Sequence, residues 1–522
     1  MAKRRRPQRP NQPNVGTLPP VWAFCLITAI AATTMRLCFP IAWGEEDALA
    51  SAFFVGDAPA YHAYAAHVVA GRRFDNGVPF HPPAWAFVLA GIFRLAGFDP
   101  LNGSPASPAI LKAFVGTLSG LTVALAAFLA NRIAGRGAML AAGVWGSVNF
   151  GHMALGTVPS NETLYGLAIV IVMLIALALS DNTPAEAPRL REYNVVTLLG
   201  LAAGAAALVR AEFLAACVLI GAWLWWTRKG RVPLRVVSAY ALGLLVALGP
   251  ATAANWRSIS AFNERNAAKL PGPLPRLAPV TSYGAFNFAI ANHQESDGGP
   301  NNDHPLFEAA SPQEQELLAE GGLNLAAPSV HRLYVDGYRI GFSWMAGNPS
   351  DAVALLIQKG RRAAGALAHG VLFDNFPAGV GGTRRRVDLV DPDSRVLLPA
   401  SFALLAAGMW MLGARQRTWP LYAAMTTLAL STLGFFGYVR LTTAYLPVIW
   451  VFQSAAVSAI AASVPVPRAV RRQPGLAVIV LMITLVVVSL GSLGVRRAVE
   501  IDGPRGIDGQ VIGDETVRIT AR

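Results

Sequence analysis

Gly56-Asp57-Ala58-Pro59-Ala60-Tyr61-His62-Ala63-Tyr64, continuing to Gly71-Arg72-Arg73 and Phe80-His81-Pro82-Pro83-Ala84-Trp85, lies between the first two long apolar runs of a 522-residue chain. The stretch is amphipathic and puts a carboxylate, aromatics and histidines at a membrane surface. Asp57 before Ala58-Pro59 is a good helix N-cap, with proline in the first turn. Tyr61, Tyr64 and Val68 follow it at i+4, i+7 and i+11, on one helix face. After Pro83 the apolar run 84–98 is either a further membrane span or a helix lying in the interface, and the topology turns on which.

Charge decides between them. The composition is 54% hydrophobic and only 14% charged, and apolar runs recur at about the 17–23 residues that cross hydrocarbon. Candidate spans lie at 21–43, 108–131, 137–156, 163–180, 195–209, 213–227, 236–254, 397–414, 419–438, 442–462 and 475–494. Adding 84–98 would send Arg132/Arg136 and every later basic loop outside. As an interfacial helix it leaves Arg132/Arg136, Arg189/Arg191, Arg228/Lys229/Arg231, Arg415/Arg417 and Arg468/Arg471/Arg472 on the side of the basic N-terminus, Lys3-Arg4-Arg5-Arg6, as the positive-inside rule requires. The segment is also short and holds Arg94. Residues 195–227, too long for one span and basic at both flanks, read as a hairpin with its tip at Val209-Arg210-Ala211-Glu212, below the membrane surface.

The expected architecture is therefore an all-α, polytopic membrane protein of about eleven transmembrane helices, with interfacial helices in the first outer loop. Its parts are a basic cytoplasmic tail (1–20), a transmembrane module (21–254) containing the first outer loop (44–107), a large external region (255–396), C-terminal helices (397–494) and an external tail (495–522). In the external region Ser311-Pro312-Gln313-Glu314 has the capping-box pattern. An amphipathic helix is expected from Asn348-Pro349-Ser350-Asp351 toward His369, lying along the membrane. The run from Val21 reads as an uncleaved signal-anchor.

The net charge of +13 sits in flanks of apolar runs and in one polar loop, which argues against nucleic acid as a partner. Cys25, Cys38 and Cys217 fall inside apolar runs without metal-ligand spacing. No internal repeat of the secondary-transporter kind is present. The Ala/Gly/Arg-rich composition points to a bacterial plasma (inner) membrane.

An ordered set of short motifs follows the apolar pattern: Gly56-Asp57…Tyr61, Pro82-Pro83, Pro159-Ser160-Asn161-Glu162, Leu208-Val209-Arg210, Asn255-Trp256-Arg257 and Tyr438-Val439-Arg440…Leu446-Pro447. This order resembles the GT-C superfamily of integral-membrane glycosyltransferases, in the branch related to protein O-mannosyltransferases and the lipid A aminoarabinose transferase. Many relatives have Asp-Glu where this chain has Asp57-Ala58. The aminoarabinose transferase has an acidic metal-binding residue where this chain has Phe80, so metal dependence stays open.

The resemblance implies a sugar donor on a polyprenyl phosphate, transfer on the periplasmic or external face, and inversion at the anomeric carbon. Such chemistry needs a base for the acceptor hydroxyl, positive groups for the departing phosphate and a lipid groove. Asp57 is the candidate base, a role compatible with capping its helix. Glu162 is either a second catalytic acid or a first-turn acid complementing the helix dipole. Arg210, Arg257 and Arg440 are candidates for holding the phosphate, against simple snorkelling. Tyr61 is a sugar platform or part of a packed stripe, and His81 a sugar contact, metal ligand or turn residue. No cofactor is certain and a divalent metal ion is open; the acceptor is a lipid, polysaccharide or protein.

Elsewhere, Arg36 reads as a snorkelling residue and Arg384-Arg385-Arg386 as a solvated or headgroup-facing loop. His62 and His67 share a helix face poorly. His293 and His304, near Glu295, Asp297 and Asp303, form either a polar loop or a cation site. Two rival functions remain: a flippase or transporter of lipid-linked sugars, and an inactive envelope scaffold.

Overall fold

The computed structural model describes residues 20–38, 57–75, 77–97, 108–157, 159–181, 190–227, 233–299, 304–319, 323–368, 372–373, 385–388, 397–463 and 499–500. The fold is all-α. Its helices are α1 (Val21–Cys38), α2 (Ala58–Val69), α3 (Ala84–Leu95), α4 (Pro108–Ala134), α5 (Arg136–Val148), α6 (Phe150–Leu155), α7 (Asn161–Asp181), α8 (Leu190–Val209) and α9 (Phe213–Thr227). Then come α10 (Pro233–Arg265), α11 (Gly284–Ile290), α12 (Pro305–Glu308), α13 (Pro312–Ala319), α14 (Pro328–Gly347), α15 (Pro349–Ala364), α16 (Leu397–Leu412), α17 (Trp419–Gly434) and α18 (Val439–Ser463). Three short antiparallel strands, Leu372–Phe373, Arg385–Asp388 and Val499–Glu500, are the only extended elements among the described residues, apart from a bridge at Asn324.

Among the described residues six helices, within α1, α4, α7, α8, α10 and α18, are long and apolar enough to cross a membrane. The candidate spans from 21–43 to 442–462 are helical over most of their described length, whereas 475–494 lies outside the described residues, as do residues 39–43 of the first span and 44–56 of the first outer loop. Candidate 137–156 divides at Asn149, which is extended (φ −63°, ψ 112°) and caps α6 by accepting the His152 N–H on Oδ1. Segment 84–98 forms the 12-residue α3, about 18 Å long and too short to span. It buries Trp85, Leu89 and Phe93 and leaves Phe87 and Leu95 exposed. The hairpin over 195–227 is α8 and α9, turning at Arg210-Ala211-Glu212.

α18 runs through the centre. From Val439 to Val457 every residue except Arg440 is buried, the signature of a helix apolar all round. α8 and α10 pack almost backbone to backbone. A Cβ at Gly200 would stand 2.1 Å from the Tyr240 carbonyl oxygen, and one at Gly243 2.1 Å from that of Thr197, so only glycine fits. α10 continues past the expected end of its span to Arg265. There the Asn255 amide donates to the carbonyls of Ala278 and Val280 (2.9 and 3.1 Å), and Asn263 grips Leu274.

A second core, including Ile259, Phe262, Phe286, Ile290, Leu333 and Tyr334, joins the end of α10 to α11 and α14. In α13 half of the capping box forms: the Glu314 N–H donates to Ser311 Oγ (3.3 Å), but the Glu314 carboxylate accepts the N–H of Ser329 instead of reaching back.

One expectation is overturned. Arg36 does not snorkel; it is fully buried. Its guanidinium donates to Ser119 Oγ, the Ala32 and Gly146 carbonyls and His152 Nδ1, tying α1 to α4, α5 and α6. The apolar sequence around Arg36 conceals these acceptors, of which all but the Ala32 carbonyl come from three other helices.

Candidate functional site

Asp57 occupies the N-cap position of α2, yet its side chain makes no capping hydrogen bond. The carboxylate faces the cluster instead: Oδ2 accepts from Arg440 Nη2 (2.9 Å), and Oδ1 lies 3.8 Å from His81 Nε2. Pro59 lets the helix start without that cap, since the first turn lacks intrahelical partners in any case.

The cluster grows from Asp57 through Arg440, in the first turn of α18, whose Nε donates to Glu162 Oε1 at 3.0 Å. The same oxygen accepts from Arg210 Nη1 at 2.6 Å. Arg210 Nε donates to Glu212 Oε1 (2.6 Å), and its Nη2 to the Tyr438 hydroxyl (3.1 Å). Tyr438 lies 5.4 Å beneath the Arg440 guanidinium, in cation–π range. Five charges from four separated segments thus alternate in sign. Glu162 has no exposed side-chain surface, against 11% for Arg210, 22% for Arg440 and 32% for Asp57. Its Oε2 is buried without a hydrogen-bond partner among the described residues.

Around this chain of charges is a cavity of about 650 Å³ whose wall includes Asp57, Tyr61, His81, Arg210, Glu212 and Tyr438. Its other side is aromatic and apolar, with Tyr283, Tyr334, Tyr338, Phe435 and Phe436, and Leu214, Leu430 and Leu441 at the helix ends. Tyr283 stacks on Phe80 (ring centroids 4.1 Å apart) because Ser282 hydrogen-bonds the Pro79 carbonyl and lays the two segments together. His81 is buried in a cage of rings and meets the Tyr64 hydroxyl at Nδ1 (3.1 Å). When Tyr64 donates there, the Nε2 proton faces Asp57. The Tyr61 hydroxyl accepts from Asn161 Nδ2 (3.0 Å), so the stripe of α2 is packed and also lines the cavity.

Burial by itself would push the Asp57 pKa up. The Arg440 guanidinium, then His81 and Arg210, outweigh it and hold the carboxyl well below the usual carboxylate range. Burial likewise opposes the charge on Arg210, but Glu212, Tyr438 and Glu162 overcome it and raise that pKa. The Tyr61 phenol is raised by burial and by Asp57. The site therefore holds its charges near neutral pH. It offers a carboxylate at a cavity wall beside two guanidiniums, the donor pattern that suits phosphate.

Four of the residues selected from sequence, Asp57, Glu162, Arg210 and Arg440, come together here, with Tyr61 and His81 alongside. Arg257 is exposed on α10 and does not line the cavity; Asn255 of the same motif holds the loop instead. Glu212, Tyr438, Asn161 and Tyr283 belong to the site without having been selected. Their signal was adjacency: each of the first three is within two residues of a chosen arginine or acid. Tyr283 carried none.

The described residues contain no group of three His, Cys, Asp or Glu arranged to hold a metal ion. Glu162 and Glu212 are both engaged by guanidiniums, so these side chains do not fit a resident metal. The His293 and His304 rings lie with centroids 4.9 Å apart, tilted by 52°, while Asp297 pairs with Arg362, and Asp303 lies outside the described residues. His62 packs on Phe93, away from the cavity. Arg385 and Arg386 begin a strand, and Arg384 lies outside the described residues.

Fold and site together define an all-α membrane protein with a charged cavity at one end of its helices. No protein-family profile and no curated protein matches the sequence. Among solved structures, the chain is similar to the oligosaccharyltransferase of Archaeoglobus fulgidus. Against the apo form the TM-score is 0.48 and the identity 11%, covering 91% of this chain and 55% of that one. Against the complex with Zn and sulfate the values are 0.46 and 13%, covering 90% and 52%. Against AglB in complex with an inhibitory peptide and a dolichol-phosphate they are 0.45 and 11%, covering 91% and 55%. The chain spans about half the length of the structures it matches.

Proposed function

We propose that the chain is a GT-C-type glycosyltransferase of a bacterial plasma membrane. It moves a sugar from a polyprenyl-phosphate donor to an acceptor hydroxyl on the external or periplasmic face. The observation that carries this reading is that Asp57 and Arg210 line one cavity with both a polar and an apolar side, and that Arg440 and Glu162 join them through a continuous chain of ion pairs.

In the reaction Asp57 takes the acceptor hydroxyl proton as the acceptor oxygen bonds to the anomeric carbon. The bond from that carbon to the phosphate oxygen breaks, its electron pair stays on the phosphate, and the configuration inverts. Arg440 and Arg210 stabilise the departing polyprenyl phosphate, an effect strengthened by exclusion of water. Glu162, with no exposed side-chain surface, holds the two guanidiniums together and is a positioning residue; Arg257 has no assigned contact. Three carboxylates outnumber two guanidiniums, so the donor phosphate competes with Asp57 for Arg440. Once displaced, Asp57 loses the contact that depresses its pKa and becomes a stronger base.

The test is turnover of a panel of polyprenyl-phosphate sugars by the protein in lipid nanodiscs with membrane extract as acceptor source, read as released polyprenyl phosphate. Asp57→Asn is expected to lower turnover of the active donor by about 10²–10⁴-fold. Equal turnover in both proteins would remove Asp57 as the base. No turnover of any donor by folded protein would favour the transporter or scaffold.

A further inference from the structure

The turn Gly434–Tyr438 joins α17 to α18, brings Phe435, Phe436 and Tyr438 to the cavity and leads directly into Arg440. It is held from outside the site. α17 ends at Gly434, so its last carbonyls have no intrahelical donor. The Nζ of Lys359, on α15, donates to the Leu433 carbonyl (3.2 Å) and to Asn292 Oδ1 (2.8 Å). Asn292 Nδ2 in turn donates to the carbonyls of Gly434 (2.9 Å) and Phe288 (2.7 Å).

The fit around this anchor is close. A Cβ at Gly437 would stand 1.9 Å from the Lys359 carbonyl oxygen, and the Gly437 N–H donates to the Gly298 carbonyl (2.8 Å). Arg362 on α15 ties down the same loop through Asp297 (2.6 Å).

Lys359 has no exposed surface and no carboxylate partner among the described residues. A buried ammonium in that state is costly, and an apolar side chain of similar length would fill the space without the cost. What favours the charge is the negative end of α17, where a cation completes the orphan carbonyls.

We infer that Lys359 is a positioning residue for the cavity: its ammonium caps α17, sets the turn that presents Tyr438 and Arg440, and thereby couples affinity for a lipid-linked phosphate to its own charge. This rests on the reading of the site as phosphate-binding. The titratable and charged groups on the elements packed against the Lys359 helix are His293, Glu295 and Asp297 on the 291–299 loop, His331, Arg332, Tyr334, Asp336, Tyr338 and Arg339 on α14, Tyr438 in the turn, Arg440 and Tyr445 on α18, and Asp351, Arg361 and Arg362 on its own helix; the end of α17 contributes none. Burial lowers the Lys359 pKa to about 7. The ammonium is therefore present below neutral pH and is lost as the pH rises through it, and its hydrogen bonds then weaken with the loss of charge.

The experiment measures binding of a polyprenyl-phosphate-linked hexose to full-length protein in nanodiscs at pH 6 and pH 8.5. This phosphodiester keeps its single charge across that range. Wild type is expected to bind roughly tenfold more weakly at pH 8.5, as a charge-assisted anchor becomes a neutral one. Lys359→Arg, whose guanidinium stays protonated, is expected to bind at both pH values as wild type does at pH 6. Lys359→Met is expected to bind weakly at both. Every other group is common to wild type and Lys359→Arg, so that comparison isolates position 359, and it decides the matter if Lys359→Met does not fold. Superimposed profiles for wild type and Lys359→Arg, or tight pH 6 binding by folded Lys359→Met, would overturn the role of Lys359 and leave the proposed function standing. Absence of binding by wild type at either pH would overturn both.

Discussion

Helix α7 carries a carboxylate at each end, and each is shared by two arginines from distant segments. At its N-terminus Glu162 accepts from Arg210 and Arg440; at its C-terminus Asp181 pairs with Arg132 and Arg417. The stoichiometry is the same and the surroundings are opposite. The Glu162 side chain has no exposed surface, while Asp181, Arg132 and Arg417 are 25%, 40% and 44% exposed. The helix dipole favours a negative charge at the first position and opposes it at the second. The Asp181 cluster is a water-screened tie between loop ends. The Glu162 cluster is desolvated and borders a cavity, where Coulomb interactions are far stronger. The same residue types therefore make a surface clasp at one end of the helix and a candidate reaction centre at the other.

Breaking the two clusters in parallel tests this contrast. Glu162→Ala leaves two guanidiniums facing each other without their shared partner, and is expected to cost about 3–5 kcal/mol of stability in thermal or denaturant unfolding. Donor binding should fall with it.

Arg440→Gln is expected to have the next largest effect, visible in the pH–rate profile. The Arg440 contact keeps Asp57 ionised far into acid. A carboxyl with a lowered pKa is lost as a base only as the pH falls through that low value. Without the guanidinium, burial pushes the Asp57 pKa up, so the acid limb of activity should move to higher pH. An unshifted limb would mean that the base is another group.

Asp181→Asn should do least: below about 1 kcal/mol of stability, further reduced by salt, with transfer unchanged. A loss of transfer in that variant would erase the distinction between the two ends.

Much of this arrangement was legible beforehand. Asp57, Glu162, Arg210 and Arg440 stand out because a charge beside a long apolar run is expensive and rarely idle. The α8–α9 hairpin followed from length and flanking charge. The partners of those charges did not follow. Glu212 read as the other half of a turn, Tyr438 as a neighbour of Arg440, and Arg36 as a residue reaching for water. In each case the deciding contact comes from a segment far away in the chain, such as Ser119 and His152 for Arg36. Periodicity and composition carry no information about that proximity.

Local rules thus determined the all-α class, the apolar segments, the shortness of α3 and the identity of the charged residues. Each depends on transfer free energies and backbone geometry that act within a few residues. Tertiary packing alone decided that Asp57 turns from capping its helix to face Arg440, that Arg257 stays outside the site, and that one buried oxygen of Glu162 holds two guanidiniums. Those outcomes depend on desolvation and Coulomb energies between groups separated by 48 to 383 positions in the chain, which are set only once the helices have packed.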